Sequence, residues 1–366
     1  MSLILTFLGK GGTGRTTIAI AAAKRFAAEG KRVLLVGLDP TPALSLLVGT
    51  PLGSEPQTIE SNLQAVQLQM AVLLERSWDE LKQQEAQYLR SPFLRSVYGQ
   101  ELGVLPGMDS ALALNALREF DASGQYDVIV YDGTGDQTTV RMLAMPEVLS
   151  WYVRRFRQVF ADSDVGKTVT PFIQPIASAV LNVNWSPGDI FSQPAGQQVT
   201  NILDQGKAAL ADPNRVAAYL VTTPAPEAVA TARYLWGSAQ QSGLTVSGVL
   251  VNSAEAIEGL TSEFAPLSIA PLPMRNGGDW QQLVDALPDL TQTAQAPRPI
   301  AVNVSERKVS LFLPGFDKKQ VKLTQYGPEV TVEAGDQRRN SFLPPELRGR
   351  QVTGAKFQDG FLIISF

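Results

Sequence analysis

The chain has 366 residues, of which 44% are hydrophobic and 18% are charged, a balance that predicts a folded protein of two domains or of one large domain with an appendage. Its formal net charge of −4 provides no strong positive field to attract nucleic acid or anionic lipid. Because the sequence contains no cysteine and no histidine, disulfides, thiol nucleophiles, histidine bases and Cys/His zinc sites are excluded, and any metal would be a hard cation such as Mg²⁺ held by oxygen.

The N-terminal segment begins with an apolar run, "SLILTFLG" at residues 2–9, which predicts a buried strand. A glycine-rich loop follows, and "TTIAIAAAKRFAAEG" then predicts a helix that ends at Gly30. The next run, "KRVLLVGLDP" at residues 31–40, predicts a second buried strand that ends at Asp39. A strand, a helix and a strand in this order indicate a parallel sheet covered by helices on both faces.

Two stretches fit a strand and helix alternation poorly, and we assign them to helical insertions beside the sheet. They are residues 55–100, where "NLQAVQLQMAVLLERSWDELKQQEAQYL" has an amphipathic helical pattern, and residues 147–210, where a helix mixes with Pro-, Gly- and Asn-rich segments. Elsewhere strand and helix patterns alternate, which predicts a doubly wound α/β domain with a mostly parallel sheet. The further strands are predicted at 102–107, 126–133, 216–224 and 247–252, and the helices at 109–120 and 226–243.

The composition changes near residue 290. The polar, proline-bearing stretch "DLTQTAQAPRPI" at 289–300 predicts a linker, which we place at 291–299 after a first domain of residues 1–290. Short alternating runs separated by turns then predict a small β-sandwich over residues 300–366.

No segment suggests a membrane anchor. The apolar runs are shorter than the roughly 18–20 residues that a membrane span needs, and the N-terminus lacks the basic region of a signal peptide. We therefore expect a cytoplasmic protein.

The glycine-rich loop fits the pattern G-x-x-x-x-G-[K/R]-T between a predicted strand and a predicted helix. Such a loop lets backbone N–H groups converge on phosphate oxygens at a helix N-terminus, where the helix dipole also favours negative charge. A threonine hydroxyl at the end of the loop would bind Mg²⁺, and the next threonine would contact an inner phosphate. The competing interpretation is a glycine-rich turn that binds no ligand. The predicted contacts are Gly9, Lys10, Gly11, Gly12, Thr13, Gly14, Arg15, Thr16 and Thr17.

Arg15 stands where such loops normally carry lysine. A planar guanidinium is bulkier than an ammonium group, so Arg15 would neutralise phosphate charge with a different geometry. Lys10 supplies a second cation at the front of the loop, and it is either a phosphate contact or a solvated surface charge.

Two aspartates follow predicted strands, at the edge where open α/β sheets bind ligands. Asp132 is a candidate for holding the water shell of Mg²⁺, and Asp39 is a candidate for orienting or deprotonating an attacking water. The alternative for each residue is a helix cap.

Together these motifs resemble the ArsA/Get family of P-loop ATPases, within the wider group that includes MinD and ParA. "KGGTGRTT" at 10–17 is similar to the family's deviant Walker A motif, and "LDPTPALS" at 38–45 to its switch I. "YDVIVYDGTGDQTTVRMLAMPEVLSW" at 126–151 resembles the Walker B and switch II stretch. With "LPGMDSALAL" and "VTTPAPEAVATAR", the similar segments extend over most of residues 1–290.

The resemblance implies a homodimeric, Mg²⁺-dependent ATPase that binds ATP and ADP. In such a dimer, Lys10 would reach across the interface to the partner's ATP, and Asp39 would position water. With Thr16 as the Mg²⁺ ligand and Asp132 as the switch II aspartate, we expect Thr16, Asp39 and Asp132 to surround the metal.

The resemblance also implies a base-binding region. Asn252 matches the asparagine that reads adenine, and an amide at a strand end offers both a donor and an acceptor to a base edge, although such an asparagine is also a common turn residue. The loop "PLPMRNG" at 271–277, with Pro271 and Pro273, lies where the base would be enclosed.

Several features depart from the family pattern. Arg15 replaces the loop lysine, "GTGDQTT" replaces "TAPTGHT", and the His-Asn pair of switch I is absent, which predicts slower or altered hydrolysis. The arsenite-binding cysteines and the zinc-binding CxxC of other members are also absent. We therefore expect no thiol-bound arsenite and a dimer that holds without zinc.

The C-terminal segment resembles an α-crystallin, or small heat-shock, domain through "LFLPGF", "FLPPEL" and "AKFQDGFLIISF". A generic β-sandwich would give a similar pattern. Because the sequence stops at Phe366, without the I-x-I tail that such proteins use for assembly, we do not expect a large chaperone oligomer.

The sequence therefore predicts a slowly hydrolysing dimeric ATP switch that couples its nucleotide state to an unidentified client or partner protein. A non-enzymatic nucleotide-binding module with a chaperone-like role is the first alternative. Targeting of tail-anchored membrane proteins is the second, with transient membrane association left open, and it depends on an apolar face in residues 63–75 that is otherwise core.

Overall fold

A computed structural model describes residues 1–76, 107–162, 193–252, 257, 259–275, 277–293 and 296–366. An eight-stranded sheet forms the larger part, with the strand order β3-β4-β2-β5-β1-β6-β7-β8. Neighbouring strands are parallel except for the antiparallel pair β3 and β4 at one edge. The strands are β1 Leu3–Leu8, β2 Val33–Gly37, β3 Gln57–Glu60, β4 Leu63–Gln67, β5 Val128–Asp132, β6 Val216–Thr222, β7 Thr245–Asn252 and β8 Ile269–Leu272.

Helices cover both faces of this sheet. On one face, α1 packs against strand residues such as Leu5 and Val130, and on the other, α3 and α6 pack against residues such as Leu8 and Ile129. This arrangement confirms the predicted doubly wound α/β fold. The helices are α1 Arg15–Ala28, α2 Ala43–Val48, α3 Met108–Ala122, α4 Gln137–Asp162, α5 Gln193–Ala211, α6 Pro226–Ser242, α7 Leu260–Phe264 and α8 Gln281–Ala286.

The predicted helical insertion at 55–100 is wrong for its first part, because residues 57–60 and 63–67 are strands β3 and β4 of the main sheet. The second of these pairs in parallel with β2, from Val33 with Leu63 to Gly37 with Gln67. Leu63, Ala65 and Val66 are fully buried. The apolar residues that we interpreted as one face of a helix therefore lie on both faces of a buried strand.

The remainder of that insertion is described only in part. Residues 70–76 are helical, while residues 77–106, including all but the last residue of the predicted strand at 102–107, lie outside the described residues. In the predicted insertion at 147–210, α4 extends to Asp162 and α5 begins at Gln193, and residues 163–192 lie outside the described residues.

The C-terminal segment forms two antiparallel sheets, with the strand orders β14-β15-β10-β9 and β11-β12-β13. Buried side chains from both sheets, including Leu311, Val332 and Ile364, share one apolar core. This confirms the predicted small β-sandwich. Its strands are β9 Ile300–Asn303, β10 Lys308–Phe312, β11 Val321–Tyr326, β12 Glu329–Ala334, β13 Gln337–Phe342, β14 Gly354–Gln358 and β15 Phe361–Ser365.

The β-sandwich is docked on the larger domain. Phe312 from β10 joins the apolar cluster of the sheet, with its ring centroid 5.6 Å from that of Trp236 on α6. Leu287 and Leu290 pack into the core beneath α1, just before the predicted linker. Within the described ranges, no helix is both long enough and apolar enough to cross a bilayer.

Candidate functional site

The glycine-rich loop connects β1, near the centre of the sheet, to the N-terminus of α1. Gly12 and Gly14 have φ angles of +84° and +90°, a region that other residues rarely adopt. In the described part of the chain, no heavy atom lies within 4 Å of the position that a Cβ atom at Gly11 would take. The loop therefore leaves an open approach to backbone groups at a helix N-terminus, as anion binding requires.

Residues of β6 and β7 contact the glycine-rich loop. A Cβ atom at Gly9 would lie 2.1 Å from the carbonyl oxygen of Val221 in β6, so only glycine permits this approach. Asn252, at the end of β7, donates from its Nδ2 to the carbonyl oxygen of Thr13 over 2.9 Å. A Cβ atom at Gly14 would lie 2.2 Å from the same Nδ2.

Asn252 thus has a structural contact that the sequence did not indicate. Its predicted role in reading adenine remains a prediction. In the register of β7 and β8, Val251 pairs with Pro271 and Asn252 with Leu272, and Pro273 follows directly. The predicted base-enclosing loop therefore begins at the same edge of the sheet as the glycine-rich loop.

Asp132, the last residue of β5, is buried beside the start of α1. The burial raises its pKa to about 6, whereas a hydrogen bond from the Thr16 hydroxyl and the charge of Arg15 lower this pKa, and the charge of Asp39 raises it. The predicted Mg²⁺ ligand Thr16 and the aspartate that ends β5 therefore lie near each other at the start of α1.

Asp39 follows β2 and is exposed, and its Oδ1 accepts a 2.9 Å hydrogen bond from the backbone N–H of Thr41. Gln67, at the end of the adjacent strand β4, donates from its Nε2 to the carbonyl oxygens of Asp39 and Thr41 over 2.6 and 2.7 Å. The Gln67 amide therefore orders the backbone that carries Asp39. Sequence reasoning missed Gln67, and its one signal was a polar residue at the end of a buried run.

Lys10 has an exposed side chain, while its carbonyl oxygen accepts hydrogen bonds from the backbone N–H of Thr13 at 3.3 Å and from its Oγ1 at 2.9 Å. These bonds close the front turn of the loop. The ammonium group extends from a position that the backbone fixes.

Arg15 has contacts that differ from those expected of a loop lysine. Its guanidinium donates to the carbonyl oxygens of Gly133, at 3.3 Å, and of Thr134, both in the segment between β5 and α4 that we call the 133–136 loop. The backbone N–H of Gly9 donates to the carbonyl oxygen of Gly135 in this loop over 2.9 Å. Burial lowers the pKa of Arg15, and the charges of Asp132 and Asp136 oppose this shift. A phosphate contact of Arg15 stays a prediction.

The 133–136 loop has a defined internal structure. Asp136 accepts hydrogen bonds on its Oδ1 from the Thr134 hydroxyl at 2.7 Å and from the backbone N–H of Thr138 at 2.8 Å, and so caps α4. The hydroxyl of Thr139 accepts a 2.9 Å bond from the backbone N–H of Gly135. The carbonyl groups of the loop are thereby presented to the glycine-rich loop.

The residues at this edge fit a magnesium nucleotide. The donor set consists of a hydroxyl and carboxylates, which suit a hard cation, and open backbone groups at a helix N-terminus suit phosphate. Among the described residues, no group of three or more Asp, Glu, His or Cys side chains is arranged to hold a metal alone.

The strand, glycine-rich loop and helix near the centre of a parallel sheet, with an aspartate ending the next strand, define the class of P-loop NTPase folds. The chain belongs to the anion-transporting ATPase family, whose profile matches residues 2–260. A second profile, an HSP20-like domain found in ArsA, matches residues 305–366. Both resemblances inferred from the sequence are thus confirmed.

Individual relatives agree with this assignment. The chain is 26% identical over 398 aligned residues to a protein of Chlorobaculum tepidum named "Putative arsenical pump-driving ATPase", with 99% of this chain and 95% of that protein covered. It is 28% identical over 204 residues to "ATPase GET3" of Malassezia globosa, with 54% of this chain and 58% of that protein covered.

Proposed function

We propose that this protein binds Mg-ATP at residues 9–17, hydrolyses it slowly, and acts as a dimeric switch that couples nucleotide state to a partner protein. The observation that carries the proposal is the open glycine-rich loop at the N-terminus of α1, beside the buried Asp132 that ends β5. Family membership supports ATPase activity in general, and the open glycine-rich loop supplies the phosphate site.

Each polar group at the site has a role in this proposal. The backbone groups of Gly11 to Thr16 bind the phosphates, and Thr16 and Asp132 would hold Mg²⁺, directly or through its water shell. The ion would neutralise charge on the phosphate oxygens. Asp39 orients the attacking water from a backbone that Gln67 fixes, and Lys10 reaches the nucleotide of the other protomer.

A catalytically weak binding module is the second candidate, and the geometry of Arg15 favours it. The guanidinium donates to carbonyl oxygens of the 133–136 loop, so part of its hydrogen-bonding capacity is directed away from the phosphate site. In that case nucleotide would stabilise the fold, and the β-sandwich or a helical region would bind the partner.

Targeting of tail-anchored proteins receives less support from the segment that first suggested it. In residues 63–75, Leu63, Val66 and Leu68 are buried in the core of the large domain, so this part of the apolar face is not a client surface. Capture of proteins with a single apolar C-terminal segment, rather than of soluble proteins, would be the evidence for it.

The first experiment is steady-state hydrolysis of Mg-ATP by the purified chain, with Asp39→Asn as the matched control. Asparagine keeps the size of the side chain and removes its charge. Turnover that is lost in the variant while ATP binding persists supports the enzyme. Turnover no greater than that of the variant, with ATP still bound, replaces the enzyme with the binding module.

A mixing experiment tests the cross-interface role of Lys10. Lys10→Ala and Asp39→Asn should each be inactive as homodimers, but a mixed dimer contains one site with an intact lysine and an intact aspartate. Random exchange of protomers makes half of the dimers mixed, so about a quarter of the wild-type turnover should return. No recovery under conditions where exchange is demonstrated would refute a site completed across the interface.

A further inference from the structure

The β-sandwich contacts the first residue of α4. Gln337, which begins β13, donates from its Nε2 to the Oε1 of Gln137 over 2.5 Å. Gln137 in turn donates from its Nε2 to the hydroxyl of Ser238 on α6 over 2.7 Å, and Ser238 is fully buried. Both ends of the Gln137 amide are therefore fixed, one of them by the C-terminal domain.

The same part of the β-sandwich holds both helices. Asp336, in the turn before β13, forms an ion pair with Arg141, one helical turn beyond Gln137 on α4. Gln241 on α6 donates from its Nε2 to the carbonyl oxygens of Val332 at 2.9 Å and of Gln337 at 3.0 Å. The segment from β12 to β13 thus clamps the start of α4 against α6.

The start of α4 is also the end of the 133–136 loop. Thr139, in the first turn of α4, accepts the N–H of Gly135, whose own carbonyl oxygen accepts the N–H of Gly9. The guanidinium of Arg15 is bound to the same loop. A displacement of the first turn of α4 therefore moves groups that contact the glycine-rich loop, because the helix transmits it as a rigid element.

We propose that Gln337 is a positioning residue for the nucleotide site: through Gln137 it sets the conformation of the 133–136 loop and hence its contacts with Arg15 and Gly9. This inference rests on the proposed function of the loop in nucleotide turnover. The β-sandwich is then part of the switch and not only an attached domain.

Docking of the β-sandwich does not depend on this contact. Phe312 packs against Trp236, and Phe316 approaches Tyr234 with ring centroids 6.1 Å apart, so apolar surface holds the domains together. Removal of the Gln337 amide should therefore loosen α4 without separating the domains. The variant therefore distinguishes a role of Gln337 in positioning α4 from a role in holding the two domains together.

The test uses the full chain with Gln337→Ala, and the matched control is Arg338→Ala. Arg338 is the next residue on β13, is exposed, and forms an ion pair with Glu333 within the β-sandwich at 4.0 Å. Two quantities are measured: amide hydrogen exchange of a peptide over residues 133–141, and kcat and KM for Mg-ATP.

Loss of one hydrogen bond changes an equilibrium constant about three- to tenfold. Gln337→Ala should therefore raise the exchange rate of this peptide and lower kcat by that factor, with KM nearly unchanged. The control should change neither quantity. A double variant, Gln337→Glu with Gln137→Arg, rebuilds a donor and acceptor pair and should restore both.

Exchange and kcat equal to those of the control would overturn the proposal, as would a loss that the double variant fails to rescue. If the wild-type chain binds ATP but shows no turnover, the proposed hydrolysis fails, and the hydrogen exchange still decides whether Gln337 positions the loop.

Discussion

The substitution Gly237→Ala tests how the two domains meet. Alanine in place of an interior helical glycine normally stabilises a helix by about 1 kcal/mol. At Gly237 on α6, however, a Cβ atom would lie 2.3 Å from the carbonyl oxygen of Pro314 and 2.6 Å from the Cε2 of Phe316. The β-sandwich also has a glycine at this junction: a Cβ atom at Gly315 would lie 2.9 Å from the carbonyl oxygen of Arg233 on α6.

Rotation of a side chain cannot relieve a clash with a backbone oxygen. The two domains must therefore separate slightly to accommodate the new Cβ atom. Overpacking of this kind costs about 1–3 kcal/mol, and we expect a net destabilisation of the docked state despite the gain in helix propensity. Urea denaturation followed by tryptophan fluorescence measures it, because Trp236 packs against Phe312 across the junction. Limited proteolysis near the linker should also become faster.

The control is Ala230→Gly, an exposed position on the same helix. It should cost about 1 kcal/mol through helix propensity alone, with no change in proteolysis at the linker. An increase of about 1 kcal/mol in the stability of Gly237→Ala, the ordinary result for a helix, would refute the close packing of α6 against the β-sandwich.

Three further outcomes are expected, the first two of them for the nucleotide-free protein. Because the pKa of Asp132 is raised to about 6 in the folded state, the folded chain keeps a proton that the unfolded chain releases, and stability falls as the pH rises from about 4 to 6. Asp132→Asn should therefore gain roughly 1–3 kcal/mol over the wild type above pH 6 and nothing below pH 4, as measured by denaturation across this range. Gly14→Ala, at φ +90° and against Asn252, should lower thermal stability by about 1–3 kcal/mol, whereas Gly11→Ala should change it by less than about 0.5 kcal/mol. Asn252→Ala removes the hydrogen bond to Thr13 and should lower the free energy of unfolding by about 0.5–1.5 kcal/mol. If the side chain reads adenine, the variant should also show a weaker preference for ATP over GTP in a competition assay.

The sheet was predictable wherever the signal is local. β1, α1 and β2 each show their own pattern, because a continuous apolar run is buried on both faces and a glycine-rich loop marks the turn between strand and helix. β5, β6 and β7 follow for the same reason, and their observed bounds, Val128–Asp132, Val216–Thr222 and Thr245–Asn252, lie within or close to the predicted ones.

The features that escaped prediction depend on distant partners. β4 resembled a helix because Gln64 and Gln67 interrupt its apolar residues, and its pairing with β2 and β3 shows it to be a strand. The contact of Arg15 with Gly133 joins residues separated by 118 positions. The sequence identified Arg15 as unusual, but a phosphate was the one partner it suggested.

The bonds between the glycine-rich loop and the 133–136 loop also determine how a signal would pass between them. Gly9 and Arg15 engage three successive carbonyl oxygens, those of Gly133, Thr134 and Gly135. These acceptors are linked by a short, internally braced backbone, so a displacement large enough to break one bond strains the others. We therefore expect their release to be cooperative, with two distinct positions of the loop and a threshold between them in place of a graded drift.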